Sequence, residues 1–141
     1  MTYGGYSEVP TMPDRLISAG SYMTMGLVGF VWLIVVSLQK GVLKTFLKYH
    51  IFQSIFITVL VAIFNILIGI FLKYALLIPV AGDVVALIVG FLTMVVFGDM
   101  SIIHLLFSLI VLYFAITALL GKYSYFPWIS DNVRQLVGNM R

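Results

Sequence analysis

Residues 16–38 form a run of 23 positions without a charged side chain, and this run restricts the fold more than any other feature. At 1.5 Å per residue, a helix of that length crosses the roughly 30 Å hydrocarbon core of a bilayer. Further long apolar runs follow, and hydrophobic residues make up 62% of the 141 positions, while charged residues make up 9%. A soluble domain has about 25% charged residues. Because so few charges cannot cover a soluble surface, the sequence predicts an integral membrane protein.

The apolar runs predict an all-α, polytopic bundle of four transmembrane helices with short loops, and one membrane domain over residues 1–141. The four predicted helices cover about 16–38, 51–72, 79–97 and 102–120. Small residues are frequent in the first half of the first helix, which indicates close packing there. The third helix is placed from Pro79, because proline is tolerated in a first turn. A tight turn at 98–101 would then make the last two helices an antiparallel pair.

A basic, amphipathic segment at 40–50 precedes the second helix. Lys40, Lys44 and Lys48 fall on one side of a helical wheel, which is typical of a segment at the membrane surface. The next polar residues, His50, Gln53 and Ser54, are neighbours on the same wheel at the water boundary. We therefore predict that they form a hydrogen-bonded cluster, which fixes how the basic segment enters the helix.

Small and polar residues continue along the second and third predicted helices. On the second helix they are Thr58, Ala62, Asn65 and Gly69, and on the third Gly82, Ala86 and Gly90. Helices in lipid associate through such residues, because these allow close backbone approach and interhelical hydrogen bonds. The stripe on the second helix is interpreted either as a packing seam, with an interhelical hydrogen bond from Asn65, or as the lining of a water-filled path.

The sequence offers little for catalysis, so we expect neither enzymatic activity nor a cofactor or metal. Polar residues are few and lie mostly at segment ends, and His50 and His104 have no HExxH partner. Asp83 and Asp99 are the acids closest to the hydrocarbon, where ionisable groups often mark ion paths. Both also lie beside turn residues, where a helix-start charge or a turn role explains them. The absence of cysteine excludes thiol chemistry.

The tail 122–141 mixes lysine, tyrosine, phenylalanine and Trp128, a composition found at the headgroup level. Ser130 is predicted to cap a short amphipathic helix over 131–137, with Val133, Leu136 and Val137 toward the membrane. Residues 1–13 have the features of neither a signal nor a transit peptide. With four spans, the termini share one side of the membrane, and Lys40, Lys44 and Lys48 lie on the other. The count of basic residues then favours cytoplasmic termini.

Four stretches together resemble a known family: DRLISAGSY, FLKYHIFQS, LLIPVAGDVV and ALLGKYSYFPWISDNV. Over roughly residues 14–137, the chain is similar to the small bacterial relatives of the twenty-kilodalton component of the chloroplast inner-envelope protein translocon, the Tic family. Lys48, Tyr49, His50, Gln53 and the segment 121–130 are the most distinctive positions. The resemblance implies a four-helix membrane protein with both termini on the cytoplasmic or stromal side, proposed to form part of a preprotein-conducting path with other subunits.

The expected function is that of a membrane subunit in or beside a protein-translocating complex. The alternative is a small accessory or structural subunit of a respiratory, photosynthetic or secretion assembly that conducts nothing. A proton-coupled carrier using Asp83 or His50 is less favoured, because the chain has no inverted repeat and few helices. We expect the lipid bilayer and other membrane subunits as partners, and no nucleic acid, because the net charge is only +3. A bacterial plasma membrane is the expected location, with a plastid inner envelope or thylakoid as the alternatives.

Overall fold

The structure is a computed structural model that describes residues 9–127 and 129–139. Over these residues, the prediction of an all-α chain is confirmed, with one short β-hairpin as the exception. The helices are α1 (Met12–Met23), α2 (Leu27–Leu38), α3 (Thr45–Ala75), α4 (Ala81–Thr93), α5 (Ile102–Leu119) and α6 (Ile129–Asn139). Strands β1 (Val95–Phe97) and β2 (Met100–Ser101) lie between α4 and α5.

The first predicted helix, 16–38, is wrong as a single element, because the chain breaks after Met23 and begins a new helix at Leu27. Gly26 has a φ of +86°, a left-handed conformation that glycine adopts at little cost. The Thr24 hydroxyl donates to the Gly20 carbonyl at 2.7 Å and accepts from the Val28 N–H at 3.1 Å. These bonds satisfy backbone groups at the break, so the turn is stable without a continuous helix.

Helices α1 and α2 form a hairpin, which we call the α1–α2 hairpin, and both of its arms lie along the first turns of α3. Helix α1 runs parallel to α3. Asp14, near the start of α1, contacts Lys44, and Tyr22, near its end, contacts Gln53 further along the chain. Helix α2 returns in the opposite direction, because Gly26 lies beside Ile55 and Gly29 beside Ile51. The hairpin closes tightly: a Cβ atom on Gly29 would lie 2.7 Å from Ser21 Oγ.

Helix α3 is longer than predicted at both ends. The prediction placed an interfacial basic segment at 40–50 that leads without a turn into a span at 51–72, and in the structure one helix of 31 residues runs from Thr45 to Ala75. No proline interrupts the sequence between these residues, and helix-forming residues at its start let the apolar helix continue toward the lysines. At 1.5 Å per residue, α3 is about 46 Å long.

The third predicted helix is too long, because α4 ends at Thr93 and not at residue 97. Residues 95–97 form β1, which pairs antiparallel with β2 through Val95 and Ser101. Two successive valines favour a strand over a helix, and Gly98, with a φ of +56°, provides the turn. Helix α5 begins at Ile102, as predicted, and ends at Leu119.

The tail after α5 packs into the protein. Helix α6 begins at Ile129 and is longer than the predicted 131–137. Ile129, Val133 and Val137 are buried against Tyr49 of α3, with Phe52 and Ile57 packed at the edge of this cluster. The sequence therefore identified the apolar face of this helix. Much of that face covers α3, while Leu136 is exposed.

Helices α3 and α5 are long and apolar enough to cross a membrane. Over its most apolar 18 residues α3 has no buried residue, and over the corresponding stretch α5 has 17% buried. Apolar helices with exposed side chains indicate membrane association. The chain divides into two compact units: unit 1 comprises the residues up to Thr58 and from Leu112 onward, and unit 2 comprises Val59–Val111.

Candidate functional site

The strongest polar feature of the structure is a buried cluster in unit 1, which we call the polar junction. Its members come from α1, the start of α3, the segment 122–127 and α6: Tyr22, His50, Gln53, Ser124 and Ser130. The side chains of His50 and Gln53 are completely buried. The sequence singled out this pair as neighbours at the water boundary, and in the structure α1 and the tail cover both side chains.

Gln53 is the centre of the polar junction. Its Oε1 accepts hydrogen bonds from the Tyr22 hydroxyl at 2.7 Å and from the Ser124 hydroxyl at 2.9 Å. Its Nε2 donates to Ser130 Oγ at 3.1 Å, and the same oxygen accepts from the Phe126 N–H at 2.7 Å. One amide side chain thus holds α1, the segment after α5 and α6 to α3.

His50 joins the network through Tyr22 and has no direct bond to Gln53. The Tyr22 oxygen lies 2.8 Å from His50 Nδ1. Tyrosine has one hydroxyl proton, and when this proton is donated to Gln53, the Tyr22 oxygen accepts from Nδ1–H. This assignment leaves His50 Nε2 as a buried acceptor without a hydrogen-bond partner in the described structure.

Aromatic rings enclose the imidazole of His50. The ring centroids of Phe46, Tyr49, Tyr22 and Tyr123 lie 4.5, 5.3, 5.7 and 6.0 Å from that of His50. The Tyr49 hydroxyl also donates to the Ser124 carbonyl oxygen at 2.6 Å. The rings exclude water around the junction, and in such surroundings each hydrogen bond is stronger and each unpaired group more costly.

Ser54 does not join His50 and Gln53 as predicted. It is buried, and its hydroxyl donates to the carbonyl oxygen of Ile51 in its own helix at 2.8 Å. The position of Ser130 also differs from the prediction. It lies inside α6, one residue after the helix begins, and its oxygen bonds to Gln53 and Phe126, so it is not the predicted cap.

The three lysines before and within α3 have different surroundings. Lys40 is exposed, Lys48 is partly buried, and Lys44 Nζ forms a salt bridge with Asp14 Oδ2 at 2.8 Å. Burial alone would raise the pKa of Asp14, but hydrogen bonds from Lys44 and Thr11, together with the lysine charge, hold that pKa below 3.8. The salt bridge also contradicts the predicted separation of Lys44 from the start of the first helix by a whole membrane.

The predicted stripe on α3 is divided between the two units. Thr58 donates to the carbonyl oxygen of Ser54 at 2.9 Å, and Asn65 Nδ2 donates to the carbonyl oxygen of Val61 at 2.8 Å, so both bond within their own helix. Asn65 is exposed, and a Cβ atom on Gly69 would meet nothing within 4 Å. The interhelical bond expected from Asn65 is not present among the described residues.

The small residues predicted to pack on the third helix, Gly82, Ala86 and Gly90, which we call the α4 ridge, differ in their exposure. Gly82 is buried, and a Cβ atom there would lie 2.9 Å from the carbonyl oxygen of Leu76, so this glycine allows the chain to turn between α3 and α4. Ala86 and Gly90 are exposed, and Gly90 has open space at its Cβ position. Trp128, predicted as a membrane-surface residue, lies outside the described residues.

Three further titratable residues singled out by the sequence, Asp83, Asp99 and His104, belong to unit 2. Asp83 is exposed in the first turn of α4, and Asp99 is exposed in the turn between β1 and β2. His104 Nδ1 lies 2.7 Å from the Ser101 hydroxyl at the start of α5. Among the described residues, no group of three or more His, Asp or Glu side chains is arranged to hold a metal ion.

Tyr22 and Ser124 are the junction residues that helical-wheel reasoning missed. Both lie far from His50 and Gln53 in the chain, with 31 positions between Tyr22 and Gln53 and 71 between Ser124 and Gln53. The only sequence signal that includes them is the set of stretches resembling the Tic family, since DRLISAGSY ends at Tyr22 and KYSYFPW contains Ser124. No family model matches the chain, and no curated protein or solved structure is significantly similar to it.

Proposed function

We propose that this chain is a non-enzymatic integral membrane subunit that acts in or beside a protein-translocating complex. The observation that carries the proposal is a set of open positions on α3 and α4 in unit 2. Gly69 on α3 and Gly90 on α4 have nothing within 4 Å of their Cβ positions, and Asn65 is exposed on the same apolar helix as Gly69. In lipid, small and polar residues promote helix association. These positions are therefore available to helices of other subunits.

The translocon part of the proposal rests on the resemblance of four stretches to the Tic family. Three of these stretches contribute to the polar junction: DRLISAGSY contributes Tyr22, FLKYHIFQS contributes His50 and Gln53, and the last contributes Ser124 and Ser130. The resemblance and the buried network thus point to the same residues. We interpret the junction as a rigid base that orients α3, whose apolar part then presents Thr58, Asn65 and Gly69 to partner helices or to a path between subunits.

The membrane arrangement belongs to the same proposal. Helices α3 and α5 are the spans that length and composition support. The four-span arrangement predicted from the sequence is not part of this proposal, because it requires residues 16–38 to cross as one helix, whereas the chain breaks between α1 and α2. A bacterial plasma membrane is the proposed location, with the plastid inner envelope or thylakoid as the alternatives.

The alternative function is a structural subunit of a large membrane assembly that conducts nothing. The same open positions favour it equally, because packing against a fixed neighbour needs small residues as much as a translocon contact does. The two functions differ at Asn65. Conductance in planar bilayers that disappears in Asn65→Leu would support a path lined by α3 and contradict the purely structural function.

The direct test of the subunit proposal is a matched pair of substitutions on α4. Gly90→Leu adds a side chain where the isolated chain has open space, whereas Val89→Leu changes a neighbouring residue that is already large. Membranes are solubilised in mild detergent, and the size of the native complex is measured together with the co-purifying membrane proteins. We expect Gly90→Leu to release the chain from the complex, while Val89→Leu leaves it bound.

Thermal unfolding of the two purified variants is the control, because Gly90→Leu meets no atom of its own chain and should not lower stability. Isolation of the wild-type chain only as a free monomer, under several gentle conditions, would contradict the subunit proposal. Equal effects of both variants on complex size would mean that the α4 ridge faces lipid.

A further inference from the structure

The two ends of the α1–α2 hairpin lie together at one end of unit 1. Asp14 Oδ2, at the start of α1, is 2.8 Å from Lys44 Nζ, just before α3. Arg15 lies beside Gly121, two residues after the end of α5, since a Cβ atom on Gly121 would be 3.0 Å from Arg15 Nε. Groups in contact cannot lie on opposite sides of a hydrocarbon layer about 30 Å thick. Residues 14, 44 and 121 therefore share one side of the membrane.

The outer surface of the hairpin has the chemistry of lipid acyl chains. No charged residue occurs between Arg15 and Lys40. Large apolar side chains are more than one third exposed at its turn and along α2: Met23, Met25, Leu27, Val28, Phe30, Val31, Ile34 and Leu38. Helix α2 has 12 residues, or about 18 Å, which is too short to cross the hydrocarbon core but comparable to one leaflet.

The basic residues of unit 1 are complementary to anionic lipid headgroups. Among the described residues, six of the seven basic side chains belong to unit 1, and Lys73 alone belongs to unit 2. The six are Arg15, Lys40, Lys44, Lys48, Lys122 and Arg134. Basic residues next to membrane segments attract anionic headgroups and remain on the cytoplasmic side. The sequence-based count divided these residues between two sides, because it assumed that 16–38 crosses.

We infer that the α1–α2 hairpin inserts into one leaflet of an anionic phospholipid bilayer and leaves it on the side where it entered. The bilayer is then crossed by α3 but not by residues 16–38, with the base of unit 1 on the cytoplasmic side and the end of α3 on the other. This inference rests on the membrane location in the proposed function, but it requires neither a translocon nor any partner subunit.

The chain has no cysteine, so single introduced cysteines report the side of the membrane. Val9→Cys and Val42→Cys flank the hairpin at positions that are 76% and 93% exposed, and Tyr74→Cys, at a position 62% exposed, marks the far end of α3. A membrane-impermeant maleimide is added to spheroplasts and to inverted vesicles of a bacterial expression host. We expect the reagent to label Val9→Cys and Val42→Cys only in inverted vesicles and Tyr74→Cys only in spheroplasts.

A second measurement tests insertion of the hairpin turn. A fluorophore on Leu27→Cys, in vesicles of phosphatidylcholine and phosphatidylglycerol, should be strongly quenched by quenchers attached to acyl chains and little by iodide in the buffer. The same fluorophore on Val42→Cys should show the reverse pattern. Quenching of Leu27→Cys by iodide would overturn leaflet insertion and show that the turn lies in water. Protection from both quenchers would also overturn it and show that a protein partner covers the turn.

Labelling of Val9→Cys and Val42→Cys from opposite sides would overturn the inference and restore a crossing at 16–38. That result would leave the subunit proposal intact, because the Gly90→Leu test does not depend on the number of spans. Conversely, loss of the subunit proposal would not change the side from which Val42→Cys is labelled. The two experiments therefore fail independently.

Discussion

Gln53→Leu is the substitution that most directly tests the polar junction. The change keeps the approximate size of the side chain and removes three hydrogen bonds, to Tyr22, Ser124 and Ser130. Ser130 keeps the Phe126 N–H, but the buried Ser124 hydroxyl loses its acceptor, and Tyr22 can donate to His50 Nδ1 only when the imidazole changes tautomer. A net hydrogen bond contributes about 1 kcal/mol and an unsatisfied buried group costs about 1–3 kcal/mol, so we expect a loss of roughly 2–4 kcal/mol.

The free energy of unfolding is measured in mixed micelles by titration with a denaturing detergent, followed by circular dichroism. Thr58→Val is the matched control, because the Thr58 hydroxyl bonds only to the Ser54 carbonyl of its own helix. The control should lose less than about 1 kcal/mol. Trypsin cleavage after Lys44 and Lys48 provides a local readout, and the junction variant should be cleaved faster with its membrane insertion unchanged.

His50→Leu should have a similar effect, and the two substitutions should not add. His50 and Gln53 share the Tyr22 hydroxyl, which lies 2.8 Å from one and 2.7 Å from the other. Residues in one network typically couple by about 0.5–3 kcal/mol in a double-mutant cycle. Simple additivity, or no change in either variant, would refute the junction as a unit and leave two independent buried side chains.

Two further predictions concern the α1–α2 hairpin. Gly29→Ala should destabilise the chain by about 1–3 kcal/mol through overpacking, since its Cβ would lie 2.7 Å from Ser21 Oγ. Gly69→Ala is the control, because its Cβ enters open space, and it should lose no stability in the same unfolding titration. Equal stability of both variants would mean that the hairpin is not closed at Gly29. The Asp14–Lys44 salt bridge should stabilise the chain above pH 3.8 and lose this contribution as the pH falls through the lowered pKa of Asp14. Because Lys44 is partly exposed, Asp14→Asn should lose only about 0.5–1 kcal/mol of stability at neutral pH. If the stability difference from wild type persists below the pKa of Asp14, the salt bridge is not its source.

The sequence predicted the features of the fold that depend on local pattern. Charge-free runs indicated α3 and α5, and the spacing of Val133 and Val137 indicated the apolar face of α6. The break between α1 and α2 was missed because glycine is common in membrane helices and Gly26 alone does not identify a left-handed turn. The same pattern of exposed apolar residues is compatible with a crossing helix and with a hairpin, so composition could not distinguish them.

Only part of the candidate site was predicted, because helical-wheel reasoning contains no tertiary contacts. His50 and Gln53 were identified because they are polar residues at the start of an apolar helix. Their burial depends on Tyr22 and Ser124, which reach them only through tertiary contacts that a helical wheel does not contain. The bonds of Thr58 and Asn65 to carbonyl groups of their own helix were also missed, because the wheel treats each polar side chain as free to bond a neighbour.

Site-specific photo-crosslinking from α3 tests the proposed function most directly. A photoreactive residue replaces Asn65 in cells, and Ile63, about 160° away on the helical wheel and 54% exposed, is the matched control. The crosslinks are collected while a secreted polypeptide is arrested in transit. We predict that position 65 crosslinks to a membrane subunit or to the arrested polypeptide and that position 63 crosslinks mainly to lipid. Lipid adducts alone from both positions would contradict the account of this chain as a subunit that works through the open side of α3.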